Sequence, residues 1–309
     1  MPGDEMSDDL YQYARIGLAH FMLYPNCVRQ EHLIFDTLPA MLDRGDIEAV
    51  DMCLPFDPEQ REQLSAMLRA SDKRLGFAIH PFPVDKICLG STFDNEKALI
   101  RMVLDDQLGA AAGCGAESIT FVSGIDVDVE HRPAALAAFA DVCRWFCGRA
   151  KEHGMIALIE PFDRDFHRKF LIGPTTECVE LIELLRPGID NLYVQLDMAH
   201  VRLSGETFGH AVTTAKPYLG HVHVGNCVMH NRNDPFFGDR HPPFGYPGGE
   251  IDVPELTTIL RALLDVGYLS KQSRGTLVIE TQPAPGGDVE ALIQQGLAKL
   301  NVAWRRVLQ

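Results

Sequence analysis

The chain has 309 residues, 46% hydrophobic and 23% charged, with no Ser/Gly/Pro-rich linker, so its composition excludes disorder and a single domain spanning 1–309 is expected. A formal net charge of −15 without any Lys/Arg run disfavours long-range attraction of polyanions, so nucleic acid is not an expected partner and a small, locally held substrate is. The acidic, polar Met1–Tyr13 lacks a signal-peptide layout and no run of about 18 apolar residues follows, so the expectation is a cytoplasmic protein without membrane contact.

From the N-terminus onward, short apolar runs alternate with longer stretches of helical periodicity, the pattern of βα units on a parallel sheet. Arg15–Phe21 is read as the first strand and Glu31–Arg44 as its helix. Ala49–Leu54 with Asp57–Ser71, Leu75–His80 with Asn95–Gly113, and Ser118–Val122 with Ala134–His153 come next. The second half continues with Met155–Ile159 and Thr175–Leu185, Leu192–Leu196 and Thr207–Lys216, Gly220–Val224 and Val253–Val266, and Thr276–Ile279 and Val289–Val307. Asp57-Pro58 and Pro174-Thr175-Thr176-Glu177 carry helix-start signals, and Gly113, Gly154 and Gly267 stand where C-terminal glycines belong. Eight strands, each followed by a helix, close most simply as a single parallel (β/α)8 TIM barrel of the α/β class, with an open doubly wound sheet as the alternative. The eight cysteines form no CxxC pair and read as reduced, partly buried thiols.

A barrel of this kind builds its active site at the C-terminal ends of its strands. Four of the predicted ends carry ligand-type residues: Ile159-Glu160-Pro161, Leu196-Asp197-Met198-Ala199-His200, His221-Val222-His223 and Ile279-Glu280-Thr281. One such residue alone reads as a helix cap or a rim ion-pair partner; four converging on neighbouring strand ends read as a metal site. Glu160, Asp197, His223 and Glu280 make a mixed oxygen and nitrogen donor set suited first to one Mn2+, with Mg2+ or Co2+ as alternatives and Zn2+ less favoured. His221 and His223 are two apart on a strand and share a face, with His223 nearer the rim; His221 is read as a core histidine or a donor behind the ligands. His200 is expected to meet substrate or cap the next helix, and His80 ends the third strand at the same rim. His20, near the end of the first strand, reads equally as a packing residue.

The longest loop, Asn226 to Asp252, is rich in Asp, His, Gly, Pro and aromatic residues, and its length points to function. Asp239 and His241 within it reach the metal region or the substrate, or else serve turn chemistry; Asp252 is read as the N-cap of the following helix. Phe236, Phe237, Phe244 and Tyr246 suit a bulky substrate group, a subunit contact or a self-packed lid.

With these residues in this order, the chain resembles the xylose-isomerase-like TIM barrel superfamily of sugar isomerases, ketose 3-epimerases, inosose dehydratases and endonuclease IV type repair nucleases. The resemblance covers essentially the whole barrel and rests on Ile159-Glu160-Pro161, Asp197-x-x-His200, Gly220-His221-Val222-His223, Gly238-Asp239-Arg240-His241 and Ile279-Glu280. It implies that Glu160, Asp197, His223 and Glu280 bind one divalent metal, that Glu160 and Glu280 are also the catalytic acid and base on opposite faces of the sugar, and that His200 contacts substrate. The metal would polarise a carbonyl and its neighbouring hydroxyl and stabilise an enediolate.

The chain also departs from the epimerases. They carry an arginine six residues beyond the metal-binding histidine, where this chain has Met229 followed by His230. The positions matching the three-zinc nucleases are filled by His80, Glu160, Asp197, His200, His223, Asp239, His241 and Glu280, but the histidine those enzymes have at the end of the fourth strand is replaced by Phe121-Val122-Ser123-Gly124. Phe21-Met22-Leu23-Tyr24-Pro25 and Phe244-Gly245-Tyr246-Pro247-Gly248-Gly249-Glu250 are similar to the large subunit of C-glycoside deglycosidases. The expectation is therefore a metal-dependent isomerase or epimerase on a small polyhydroxylated keto-sugar, with His80, His200, Asp239 and His241 on substrate. The alternative is a lyase or deglycosidase acting on a 3-oxo-sugar conjugate. Such a protein is expected as a homo-oligomer, or beside a small partner subunit in the deglycosidase case.

Overall fold

Every apolar run read from the sequence is a strand in the computed structural model, which describes residues 9–79 and 86–309. In chain order the first half contains β1 (Ala14–Ala19), α1 (His20–Leu23), α2 (Ile34–Leu42), β2 (Ala49–Cys53), α3 (Pro58–Arg69), β3 (Arg74–Ala78), α4 (Asp94–Cys114), β4 (Ser118–Phe121) and α5 (Arg132–Glu152). The second half contains β5 (Ile156–Ile159), α6 (Thr175–Leu185), β6 (Leu192–Asp197), α7 (Met198–Leu203), α8 (Phe208–Ala215), β7 (Leu219–Gly225), α9 (Val253–Asp265), β8 (Gly275–Glu280) and α10 (Val289–Val307). All eight strands are parallel, each pairs with the next, and β8 returns to β1 through Ala14↔Gly275 to Leu18↔Ile279, closing the barrel. The expected fold is the observed one, and the open-sheet alternative falls away.

The helices form where the sequence supplies both an apolar stripe and an end. Along α5, Ala135, Phe139, Val142, Cys143, Phe146, Cys147 and Ala150 recur at three- and four-residue spacing and are all buried against the barrel. Asp57 accepts a hydrogen bond from the Gln60 amide at the start of α3, and Asp252 and Glu255 form a reciprocal capping box on α9, so Asp252 is the N-cap it was read to be. The left-handed residue after α4 is Gly115, φ +82°, and Gly113 lies inside that helix. Gly154 and Gly267, by contrast, adopt the expected left-handed conformation just past α5 and α9.

Two short helices escaped the periodicity reading, α1 and α7, because four and six residues are too few to display a 3.6-residue repeat. Met198–Leu203 is capped by Asp197, at the end of β6, which accepts a hydrogen bond from the Ala199 amide. The second helix also starts later than read, at Ile34, after a single 3-10 turn over Glu31–Leu33. All eight cysteines are free and buried, as expected of reduced thiols. Among the described residues, no helix is long and apolar enough to cross a membrane.

The core runs as one cluster from the barrel interior out to the helices, and its largest fully buried side chains include Phe77, Phe121, Phe139 and Phe146. Phe146 packs on Phe121, the last residue of β4, at 4.8 Å between ring centroids, and so holds α5 against the strand next to Glu160. Phe146→Ala is expected to cost about 3–5 kcal/mol in urea unfolding, and Phe146→Leu less than half of that, because the void left by an aromatic ring cannot fully collapse in a close-packed core.

Candidate metal centre

The strand ends converge as their spacing predicted. Glu160 follows β5, Asp197 ends β6, His223 lies one residue short of the last pair of β7, and Glu280 ends β8; all four are buried. His223 Nδ1 stands 2.7 Å from Glu280 Oε2, and Gln195 Nε2, itself on β6, lies 3.4 Å from the same nitrogen. Gln195 is positioned in turn by the Thr120 hydroxyl, which donates to its Oε1 at 2.7 Å across the barrel. Among the described residues three groups have ligand atoms within 4.8 Å of one another: Glu160, His223 and Glu280; Asp197, His200 and His241; and Asp51, His221 and His223. The first two adjoin: His200 Nε2 is 3.3 Å from Asp197 Oδ2 and 3.7 Å from Glu160 Oε1.

His200 sits on α7, not beyond a bare strand end, and its ring stacks on Phe162 at 3.8 Å between centroids. The short helix therefore does more than continue the chain. It aims His200 back over Asp197.

The long loop after β7 is drawn into the site. Asp239 and His241 are 3% exposed each, His241 Nε2 is 2.6 Å from Asp239 Oδ1, and the pair lies beside His200 and Asp197 instead of in an exposed turn. His241 takes a left-handed backbone, φ +45°, costly for a side chain of its size, and its carbonyl is held there by the Gln282 amide just past β8. The base of the loop is closed by buried Asn226, whose Oδ1 accepts from the amides of Cys227 and Ile251 while its Nδ2 donates to the Pro243 carbonyl. Phe236 packs edge-on to Tyr246 within the loop, whereas Phe237 meets Phe166 of the loop after β5 at 5.4 Å between ring centroids and Phe244 is buried in the main core.

Three contributors were not read from the sequence. Asp51, in the middle of β2, reaches across the barrel so that its Oδ2 lies 2.7 Å from both His221 Nε2 and His223 Nε2. Arg168, on the loop after β5, places Nε 2.5 Å from Asp239 Oδ2. Asp163, fully buried, organises that loop by accepting from the amides of Phe166 and Arg168, each at 3.1 Å. A lone aspartate inside the apolar run Ala-Val-Asp-Met-Cys was the available signal for Asp51; nothing in the sequence marked Arg168 or Asp163. His221 takes the supporting place expected of it. His80 lies outside the described residues.

Burial and mutual charge divide the ionisable groups. Burial, only partly offset by His200, pushes the Glu160 carboxyl up to about 7, and a small apolar cavity of about 40 Å³ against β3 and β4 has this residue in its wall. Asp197 is likewise raised by burial. At Glu280 burial is outweighed by His223 and His241, which lower its carboxyl, and at Asp239 by Arg168 and the histidines, which hold it well below the usual range. Against burial, the Glu280 and Asp239 carboxylates lift His241 to about 10, and Glu280 and Asp51 raise His223 well above its ordinary value. The donor set fits a divalent cation. Asp197 Oδ2, His200 Nδ1 and His241 Nδ1 are buried without a hydrogen-bond partner among the described residues, and the guanidinium of Arg168 pairs with Asp239.

The family description of the xylose isomerase-like TIM barrel matches residues 42–302. The chain belongs to that family. Over 125 residues it is 30% identical to a D-psicose 3-epimerase of Ruminiclostridium cellulolyticum, a stretch that covers 40% of this chain and about a third (34%) of that relative. Among solved structures, a D-tagatose 3-epimerase-like protein superposes with a TM-score of 0.71 at 15% identity, covering 95% of this chain and 99% of that one. A 3-keto-D-glucoside 4-epimerase from E. coli superposes at 0.65 with 14% identity, covering 93% and 98%. At these identities the two structural likenesses carry the fold.

His20 stays apart from this cluster. It opens α1, its Nε2 lies 2.9 Å from the Thr37 hydroxyl, and burial lowers its pKa to about 4. The unfolded chain, titrating near 6.5, then binds more protons between pH 6.5 and 4, so this histidine makes stability fall as pH drops through that window and adds nothing further below it. His20→Gln is expected to remove about 3 kcal/mol of that pH dependence, seen as a flatter plot of urea-unfolding free energy against pH. Gly225 tests the site directly. A Cβ there would lie 2.3 Å from His241 Nδ1 and 2.8 Å from Asp197 Oδ1, so Gly225→Ala is expected to keep the far-ultraviolet circular dichroism of the barrel while weakening metal binding at least tenfold in a chelator competition.

Proposed function

We propose that this chain is a divalent-metal-dependent sugar epimerase or isomerase that works through an enediolate on a small keto-sugar. The observation that carries the reading is the convergence of Glu160, His223 and Glu280 on one point, with Asp197, His200 and His241 gathered beside it. Glu160, Asp197, His223 and Glu280 would hold the ion, with Mn2+ the first choice for three carboxylates and one imidazole and Mg2+ or Co2+ close behind. When bound, the ion supplies Lewis-acid polarisation of the substrate carbonyl and its neighbouring hydroxyl.

The remaining chemistry belongs to the side chains. Glu160 follows β5 and Glu280 ends β8, and in this reading they flank the sugar on opposite faces, as in the epimerases that the sequence resembles. One removes the proton from the carbon beside the carbonyl and the other returns a proton to the opposite face, inverting the centre. His200, held between Phe162 and Asp197, and His241, held by Asp239, are placed to donate to substrate hydroxyls. The relative with the printed activity of a D-psicose 3-epimerase supports a ketose as the substrate class.

One observation favours a second reading. The side chain six residues beyond His223 is Met229, packed in an apolar patch with Ala199, Leu203, Cys227 and Phe166, so this position offers no guanidinium to the far end of a free ketose. A 3-oxo-sugar conjugate processed by a lyase or deglycosidase reaction meets that condition, and the likeness to a 3-keto-D-glucoside 4-epimerase keeps 3-oxo-sugars on the substrate panel.

Elemental analysis of the dialysed protein is expected to find about one Mn, Mg or Co per chain, absent from Glu280→Gln. Across a panel of ketoses and 3-oxo-glucosides, Glu160→Gln and Glu280→Gln are each expected to lower kcat by about 10²–10⁴ with the barrel still folded. A metal-free wild-type protein overturns the proposal, and about three zinc ions with cleavage at abasic DNA would replace it with a nuclease. Inversion of a free ketose selects the epimerase; turnover confined to 3-oxo-conjugates selects the second reading.

A further inference from the structure

We infer that Asp51 is a positioning residue that fixes the tautomer and orientation of His223 for metal binding, with His221 as its counterweight; the inference rests on the proposed metal centre. Asp51 belongs to β2 and both histidines to β7, two strands that are not neighbours in the closed barrel, so the carboxylate spans the lumen to reach them. Its Oδ2 lies 2.7 Å from each Nε2, and the two rings meet edge to face at 68°. An ionised carboxylate only accepts, so both histidines present Nε2–H to it. A neutral His223 whose Nε2 bears the proton keeps its lone pair on Nδ1, the nitrogen that lies 2.7 Å from Glu280 Oε2 and belongs to the group with Glu160. A carboxylate behind a ligating imidazole raises its basicity and fixes its ring plane.

The barrel is shaped to admit this carboxylate. Residue 76, paired with Asp51 on β3, is glycine, and a Cβ there would fall 2.3 Å from Asp51 Oδ1. Asp51 is 4% exposed, and its Oδ1 has no hydrogen-bond partner among the described residues. A buried carboxylate with one oxygen unpartnered is a poor way to stabilise a fold, and its value lies in what the other oxygen holds.

The test is the Mn2+ dissociation constant, measured by competition with a fluorescent chelator, for wild type, Asp51→Asn and His221→Gln, alongside thermal melting of each apoprotein in EDTA. The expected result is one ion per chain throughout, Mn2+ binding weakened about 10- to 100-fold in Asp51→Asn and a few-fold in His221→Gln, and apoprotein melting unchanged or raised in Asp51→Asn. Should Asp51→Asn fail to fold, His221→Gln carries the test alone: it frees Asp51 to rotate away from His223, and unchanged affinity there overturns the inference. Wild-type affinity in a folded Asp51→Asn protein also overturns it while leaving the metal centre standing. Two ions in wild type with one lost in Asp51→Asn would make Asp51 a ligand, and the inference would fall. Absence of metal from the wild type overturns the proposed function and this inference together.

Discussion

Five carboxylates, those of Asp51, Glu160, Asp197, Asp239 and Glu280, are buried at the centre of one barrel, each less than 9% exposed. Charges of one sign at that depth repel and lack water, and the chain answers with four histidines and one arginine. Most of the unusual features of the molecule follow from this problem. Asp51 is shared between His221 and His223, Asp239 is met by Arg168, His241 is driven into a left-handed backbone to reach Asp239, and Glu160 is held toward its protonated form by its apolar wall. Phe121, which lines the small cavity beside Glu160, is itself backed by Phe139 and Phe146 of α5.

How much of this was legible depended on whether information lay along one strand or between strands. The barrel was readable because each β-run and its helix carry their own period, and the four residues at strand ends were readable because the fold places all strand ends at one rim. His200 was found, but the helix carrying it was not, since six residues show no periodicity. Asp51 was invisible as a partner of His223 because they are separated by 172 positions and lie on strands that meet only across the closed lumen. Arg168 and Asp163 are ordinary loop residues by composition. Their roles arise from a loop that folds on Asp163 and so delivers Arg168 to Asp239.

The same separation explains why Glu160 and Glu280, chemically identical, come out so differently. Glu160 faces aliphatic side chains and one histidine at a distance; Glu280 touches His223 directly and feels His241. Environment, set by which strand each terminates, gives one residue a tendency to keep its proton and the other a tendency to release it. On the proposed epimerase reading, altering the wall around one glutamate would change the direction of proton traffic while leaving the barrel as it is.

The closure of the loop after β7 has a further consequence. Asn226 pins both ends of the segment, and Val228 pairs with Phe237 and with Gly249, so the exposed stretch 230–233 lies outside this frame while Met229 and Phe236 on either side pack into it. Its entropy of ordering is spent when the chain folds and is not charged to substrate binding. A change of length or composition confined to that stretch would therefore leave the Asn226 frame, and with it Asp239 and His241, in place.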